Sequence, residues 1–379
     1  MAQVSLTEEH VRWFRAQRLG LVDSTMVTAS SVAARLLGAQ AQVESCALHG
    51  LSARMHSPAT ASDIAAELSP AGPLVRCWGQ RDTMHIYAIE DWPLIIAAQV
   101  QWKQSGRRIA PPPDDVIAAG LDRMHSLARP VSREDLFDVM PDAYVEMWQT
   151  ALTTDRNTAL RYATGRIFWV LCRRGDACAA GKSGSQQLYV ARNVWYPELA
   201  WSLPDSHEAN VCLTRRFLAL SGPATVTDVA YHFGSNVGDA RPWVEALAAE
   251  TVEVSCGERK GLLALSADLD ALREPVGEWP TRMLPAYDMK WMSHKDKTWV
   301  TPLKSDEKLV WRKAARVTGC LVHRGQPVAC WTAKKRSKAI DVTLEPLSGW
   351  SETLLADAQA ESHRYAEHLG KREATVKVA

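Results

Sequence analysis

Long apolar runs are what this sequence most clearly lacks. The longest, such as PLIIAA (93–98) and IFWVLC (167–172), fall far short of the roughly 20 residues a membrane-spanning helix needs. The opening MAQVSLTEEHVRWFRAQ has no continuous apolar core of the kind a secretory signal carries, so a cytoplasmic protein without membrane contact is expected. Paired cysteines are missing too: Cys46, Cys77, Cys172, Cys178, Cys212, Cys256, Cys320 and Cys330 are scattered with no CxxC. Neither a zinc motif nor a disulfide framework is implied, and buried thiols are the expected fate of these side chains. No metal and no cofactor is expected. Phe is scarce at 5 residues against 15 Trp, but a tryptophan is usually an ordinary core or boundary residue and carries little functional weight. Disorder is not indicated, because 46% of the residues are apolar and 23% charged.

Net charge is also small, at +1, which by itself argues against a polyanion-binding chain. Its distribution argues otherwise. Between Lys290 and Lys338 there are 13 Lys or Arg and 3 acidic residues, leaving the remainder of the chain at −9. Such asymmetry marks a surface suited to a polyanion, with a solvated lysine-rich face as the plain alternative.

A helix, helix, hairpin pattern recurs three times. TASDIAAELS (60–69) has a Thr cap and apolar residues at helical spacing, is followed by the short apolar and basic segment PLVRCWGQ (73–80), and leads into the alternating strand of RDTMHIYAIEDW (81–92). The second copy begins at PVSREDLFDVM (130–140), continues through a helix near TTDRNTALRYATG (153–165), and ends in a long hairpin over IFWVLCRRGDACAAGKSGSQQLYVARNVW (167–195). The third runs from GPATVTDVAYHFG (222–234) through ARPWVEALAAE to the hairpin TVEVSCGERKGLLALS (251–266). That is the order of a winged-helix module, in which the second helix can enter a DNA groove. The expected fold class is α+β: three tandem winged-helix modules with a C-terminal β-rich, barrel-like domain. The regions are 1–125, holding the N-terminal helices, a glutamine pair and the first module; 126–205, the second module; 206–275, the third; and 276–379, the β-rich domain. A helix over WSETLLADAQAESHRYAEHLGK, with Leu354, Leu355, Ala358, Tyr365 and Leu369 as its apolar stripe, is expected to cover the barrel.

The glutamine pair lies in LLGAQAQVES (36–45). A helix capped at Ser30 or Ser31 stops near Gly38, which can adopt the left-handed conformation, and the next helix starts near Val43. In the extended connector between them, Gln40 and Gln42 share one side. An amide does not titrate; it can orient a water or donate and accept hydrogen bonds. A reaction served by amides alone needs a leaving group that departs readily, as a positively charged N7-alkylated purine does from deoxyribose. Read from the residues alone, a solvent-exposed polar loop or a helix terminus is the more ordinary account of AQAQ.

LLGAQAQVES, followed by LHGLSAR (48–54), resembles the glutamine, apolar residue, glutamine signature of the AlkZ-like winged-helix DNA glycosylases, a family typified by an azinomycin-resistance enzyme. RDTMHIYAIED (81–91), MLPAYDMKW (283–291) and GQPVACW (325–331) extend the resemblance along the chain. It implies a DNA glycosylase that hydrolyses the N-glycosidic bond of N7-alkylguanine in double-stranded DNA, interstrand crosslinks included, with Gln40 and Gln42 as the catalytic pair. Relatives of broader range carry an aspartate at the second position; Gln42 there implies weaker water activation. The implied enzyme is monofunctional and works as a monomer.

Candidate DNA contacts are Arg54 and Arg81 near the motif, Arg173 and Lys182 on the second hairpin, and Lys295, Lys297, Lys334, Lys335 and Arg336 in the basic C-terminal region. His49 and His56 are expected to be structural. The alternatives are a non-catalytic winged-helix transcription regulator, against which the lack of a dimerisation segment argues, and a protein-interaction scaffold.

Overall fold

The computed structural model describes residues 4–102 and 109–379. Its fold class is α+β, and three times a run of helices is followed by an antiparallel strand pair. The first pair is Leu74–Trp78 with Met84–Ala88. LVRCW is therefore a strand and not a second helix; its five residues are apolar enough on both faces to be buried in a sheet. The second pair, Ala177–Ser183 with Gln186–Ala191, is shorter than the sequence suggests. IFWVLCRR belongs to the helix Arg156–Arg174, capped by the Asp155 side chain at its start and by left-handed Gly175 at its end. A continuous apolar run that is buried on all sides shows no periodicity, so a central helix and a central strand look alike in sequence. The third pair is Thr251–Cys256 with Arg259–Leu265, extended by parallel pairing of the N-terminal strand Val4–Leu6.

The first two pairs do not stand apart as separate wings. They join through Arg76 and Ala179 into one five-stranded sheet whose edge strand is Ala39–Gln40. The glutamine pair is thus mounted on a sheet edge backed by two modules. The expected boundary at residue 125 falls inside the helix Asp114–Leu127, which packs into the same core as Val131, Phe168 and Tyr189. The principal core runs from Trp13 to Leu347, so the regions share an interior.

The C-terminal strands form an open sheet and not a barrel. Arg282–Leu284 lies at one edge, then Gly319–His323, Gln326–Lys335 and Ala339–Pro346, with Glu373–Val378 parallel at the other edge. The helix Leu355–His368 closes one face through Ala358 and Ala366, with Leu354 just before it, which removes any need for the sheet to curl onto itself. A short hairpin, Trp311–Arg312 with Arg316–Val317, projects ahead of this sheet. No described helix is long and apolar enough to cross a membrane.

Candidate active site

The connector is shaped by local rules. Thr28, one turn earlier than expected, caps the helix Ala29–Arg35 by accepting from the Ser31 N–H. Leu37 and Gly38 then turn left-handed, at φ 56° and 93°, and reverse the chain. Gly38 is required twice over: a Cβ there would lie 2.4 Å from the Tyr87 ring, and its φ disfavours any side chain. Ala39 and Gln40 pair with Ile86 and His85, and the Ala41 N–H donates to Met84 O at 2.7 Å. Alternation along this edge puts Ala39 and Ala41 into the core and leaves half-buried Gln40 and exposed Gln42 on the other side.

Both amides are oriented by groups that can only donate. Arg81 Nη2 donates to Gln40 Oε1 at 2.9 Å, and the Met84 N–H donates to Gln42 Oε1 at 3.3 Å. Neither partner can accept, so in each side chain it is the Oε1 and not the Nε2 that the bond holds; the Oε1 of exposed Gln42 keeps a second lone pair. Arg76, buried below the connector, donates to Ala41 O at 2.9 Å, to Gln187 Oε1 at 2.6 Å and to Glu44 Oε2 at 3.3 Å. The same Glu44 carboxylate takes Lys182 at 2.8 Å.

Among the described residues no group beside the glutamines is free to act as a base, and Asp288, which lines a recess at Gln40, is taken up by Arg54. His85, opposite Gln40 in the sheet, is buried; burial first, then the charge of Arg81, drives it down to about 3, so it stays neutral. The one acid near in sequence, Glu44, is neutralised by Arg76 and Lys182. His49 packs against Tyr365, Trp331 and His368, with its pKa lowered by burial, and His56 leans on Ser24 O at the surface. A small recess adjoining Gln40 is lined by Cys46, Pro285, Ala286 and Tyr287. Tyr287 is held at φ 60°, an uncommon backbone state for an aromatic residue. A cavity of about 500 Å³, lined by Gln99, Pro112, Trp169 and Arg173, includes neither glutamine.

The expected DNA contacts divide sharply. Arg54 is 0% exposed and forms a two-pronged ion pair with Asp288 at 2.7 and 2.8 Å, with Leu19 O and Gly50 O taking its other hydrogens. It has no face left for a phosphate, which removes it from the DNA contacts. Arg173 lies on the helix Arg156–Arg174 and not on the hairpin; it is 8% exposed, 3.6 Å from Asp82 and bonded to Gln99 O. Arg81 is spent between Gln40 and His232 O, 2.6 Å away. Lys297 folds inward onto Tyr231 OH and the carbonyls of Trp291 and His294, over the rings of Tyr231 and Trp311. Arg54 is therefore an internal cation and not a surface one, whereas Arg81, Arg173 and Lys297 are partly buried and engaged by the protein itself. Lys182, Lys295, Lys334, Lys335 and Arg336 are exposed, though Arg336 is shared with Asp341.

Arg76 and Tyr287 are the residues sequence reasoning missed. Nothing local marks Arg76, whose partners at 41, 44 and 187 are distant in the chain; Tyr287 sits in a quoted motif, but its strained backbone has no Gly or Asn to announce it.

Comparison with known proteins adds the last finding. The structure is similar to that of the Streptomyces sahachiroi DNA glycosylase AlkZ, with a TM-score of 0.80 over 99% of this chain and 100% of that one at 20% sequence identity. Among curated proteins no match is found. The family model for DNA glycosylases described as AlkZ-like matches residues 33–368, which includes both glutamines and all but the ends of the chain, and this chain belongs to that family.

Proposed function

We propose that this glycosylase hydrolyses the N-glycosidic bond of N7-alkylguanine in double-stranded DNA, using Gln40 and Gln42. The observation that carries the proposal is a pair of amides whose oxygens are held by a guanidinium and a backbone N–H, with the neighbouring imidazole of His85 kept neutral and Asp288 at the recess taken up by Arg54. A site of amides can place a water and stabilise a sugar with oxocarbenium character, but it cannot strip a proton from the water early. The substrate must supply the driving force. When C1′–N9 breaks, its electron pair flows into the cationic purine and the base leaves neutral. Water oxygen bonds to C1′ and its proton passes to solvent, leaving an abasic site.

Gln42 is the more exposed of the two amides, and the second lone pair of its Oε1 accepts from the attacking water. An amide cannot form a Schiff base with the sugar, so an enzyme working through the two glutamines is monofunctional. The three helix-and-hairpin runs act as winged-helix modules, and the cations of the C-terminal region, Lys295, Lys334, Lys335 and Arg336, hold the phosphates. The exposed hairpin residues Arg312, Lys313 and Arg316 add to that charge. The hairpin root lies close to the site, since Trp311 packs on Lys297, Lys297 bonds Tyr231, and the neighbouring His232 carbonyl holds Arg81. Because the recess next to Gln40 is small, a base need not be enclosed, and both sides of an interstrand crosslink are within the substrate range, such as that left by azinomycin B, against which the enzyme would protect the cell that makes it. The protein acts as a cytoplasmic monomer.

The test is incubation with a duplex carrying one N7-methylguanine and with a crosslinked duplex. Free base and an alkali-labile abasic site without strand scission are expected. Tight, sequence-selective binding to undamaged operator-like DNA with no base release would instead support the regulator.

A further inference from the structure

Arg81 is an unusual residue to find behind a catalytic amide. It sits in a turn where Arg81 and Asp82 both have left-handed backbones, at φ 56° and 54°. Strain of that kind persists only where surrounding contacts over-determine it. Here the contacts are visible. Asp82 is fixed by the Trp169 indole N–H at 2.7 Å, and its side chain is 2% exposed. Gly79 gives the turn its entry, since a Cβ there would overlap the Tyr87 hydroxyl; that hydroxyl in turn donates to Gln80, whose Nε2 donates to Leu37 O at 2.6 Å. The turn is thus tied back to the reversal that launches the glutamine connector. Arg81 itself spans two modules, with Nη1 on His232 O at 2.6 Å and Nη2 on Gln40 Oε1 at 2.9 Å.

Among the described residues no carboxylate is paired with this guanidinium, which instead meets a carbonyl, an amide oxygen and the ring of His85 at 3.5 Å. A partly buried cation held against an amide oxygen has a chemical consequence. It fixes which end of the amide is presented, and it draws electron density toward Oε1, which makes the Nε2 hydrogens stronger donors. Gln40 is then a donor and not a water-accepting group. The natural acceptor is one that gains electron density as the glycosidic bond breaks, namely a nitrogen or oxygen of the departing purine.

We propose that Arg81 is a positioning residue that holds the Gln40 amide as a polarised hydrogen-bond donor to the leaving base. The inference rests on the glycosylase reading above and divides the labour of the two glutamines: Gln42 places water, and Gln40, set by Arg81, takes up charge on the purine.

The experiment is single-turnover release from a duplex with one N7-methylguanine, with DNA affinity and thermal stability measured alongside. Arg81→Gln is expected to slow the chemical step by about 10- to 100-fold while DNA affinity stays within about twofold. Arg81→Lys, which keeps a donor, recovers part of the rate. In a Gln40→Ala background Arg81→Gln should have no further effect, because a residue acting through Gln40 has nothing left to act on. Gln40→Glu provides a variant that keeps the fold, since a carboxylate pairs well with Arg81; it should be as slow as Gln40→Ala, having lost its donor. Additive losses in the double variant, or Gln40→Glu at the wild-type rate or above, would overturn the inference while leaving the glycosylase reading in place. No release by the wild type would overturn the reading itself and the inference with it.

Discussion

Removing the carboxylate of Asp288 is expected to cost about 3–5 kcal/mol of folding stability, because it strands the guanidinium of Arg54 in the core. The side chains are 0% and 2% exposed and meet through two hydrogen bonds of 2.7 and 2.8 Å. Asp288 also accepts from the Lys290 N–H at the start of the helix Met289–Met292, so Asp288→Ala loses a cap as well. If the 379 residues unfold together, the unfolding entropy makes each degree worth about 0.8 kcal/mol, so the melting temperature should drop by about 4–6 °C. Replacing both partners by apolar residues, as in Arg54→Met with Asp288→Leu, should recover much of that loss, since the stranded charge and not the missing attraction is its main source. The assay is thermal or urea unfolding of the three variants, together with the salt dependence of DNA binding. A phosphate contact contributes about 0.9 to the slope of log affinity against log salt. An unchanged slope for Arg54→Met is therefore expected. A slope reduced by about one unit, or an Asp288→Ala variant as stable as the wild type, would refute the reasoning.

Four further outcomes follow from the same geometry. His49, His85, His232 and His294 are all buried with lowered pKa values, so between pH 6.5 and the folded value the unfolded chain takes up protons that the folded one does not. For His85, held at about 3, this removes about 2 kcal/mol on going from pH 7 to pH 5, and thermal melts should show stability falling with acid; a flat or rising profile contradicts it. Gly38→Ala should lose more than about 1 kcal/mol and misplace the connector, to be read from unfolding and base release together. Lys334→Ala with Lys335→Ala should weaken binding to all duplexes alike and lower the salt slope, whereas Lys297→Ala should lower stability and leave that slope unchanged. Gln42→Asp introduces a carboxylate beside the water, and release of a neutral adduct should rise by about 100-fold over the wild type, measured with a chemically less labile base.

The features readable from sequence were those written in neighbouring residues. A helix that stops at Gly38, a short extended connector and a helix that restarts at Glu44 are consequences of local signals, and they place the two glutamines on one side of the chain. What could not be read were partners far along the chain. Arg54 and Arg81 look like surface cations next to a motif; their partners, Asp288 and the His232 carbonyl, lie 234 and 151 residues away. The strand nature of LVRCW and the helix through IFWVLCRR were hidden for another reason, since full burial erases the alternation that would distinguish them. The open C-terminal sheet follows from the covering helix Leu355–His368, a decision taken in three dimensions and not in any one strand.

The central claim is that amide chemistry at Gln40 and Gln42 breaks the glycosidic bond. Its most direct test is single-turnover release of N7-methylguanine from a duplex by the wild type, Gln40→Ala and Gln42→Ala, with DNA binding measured on the same preparations. The account predicts release by the wild type, losses of about 100-fold or more in each variant, and unchanged binding. Release that persists in both variants would place the chemistry elsewhere in the protein.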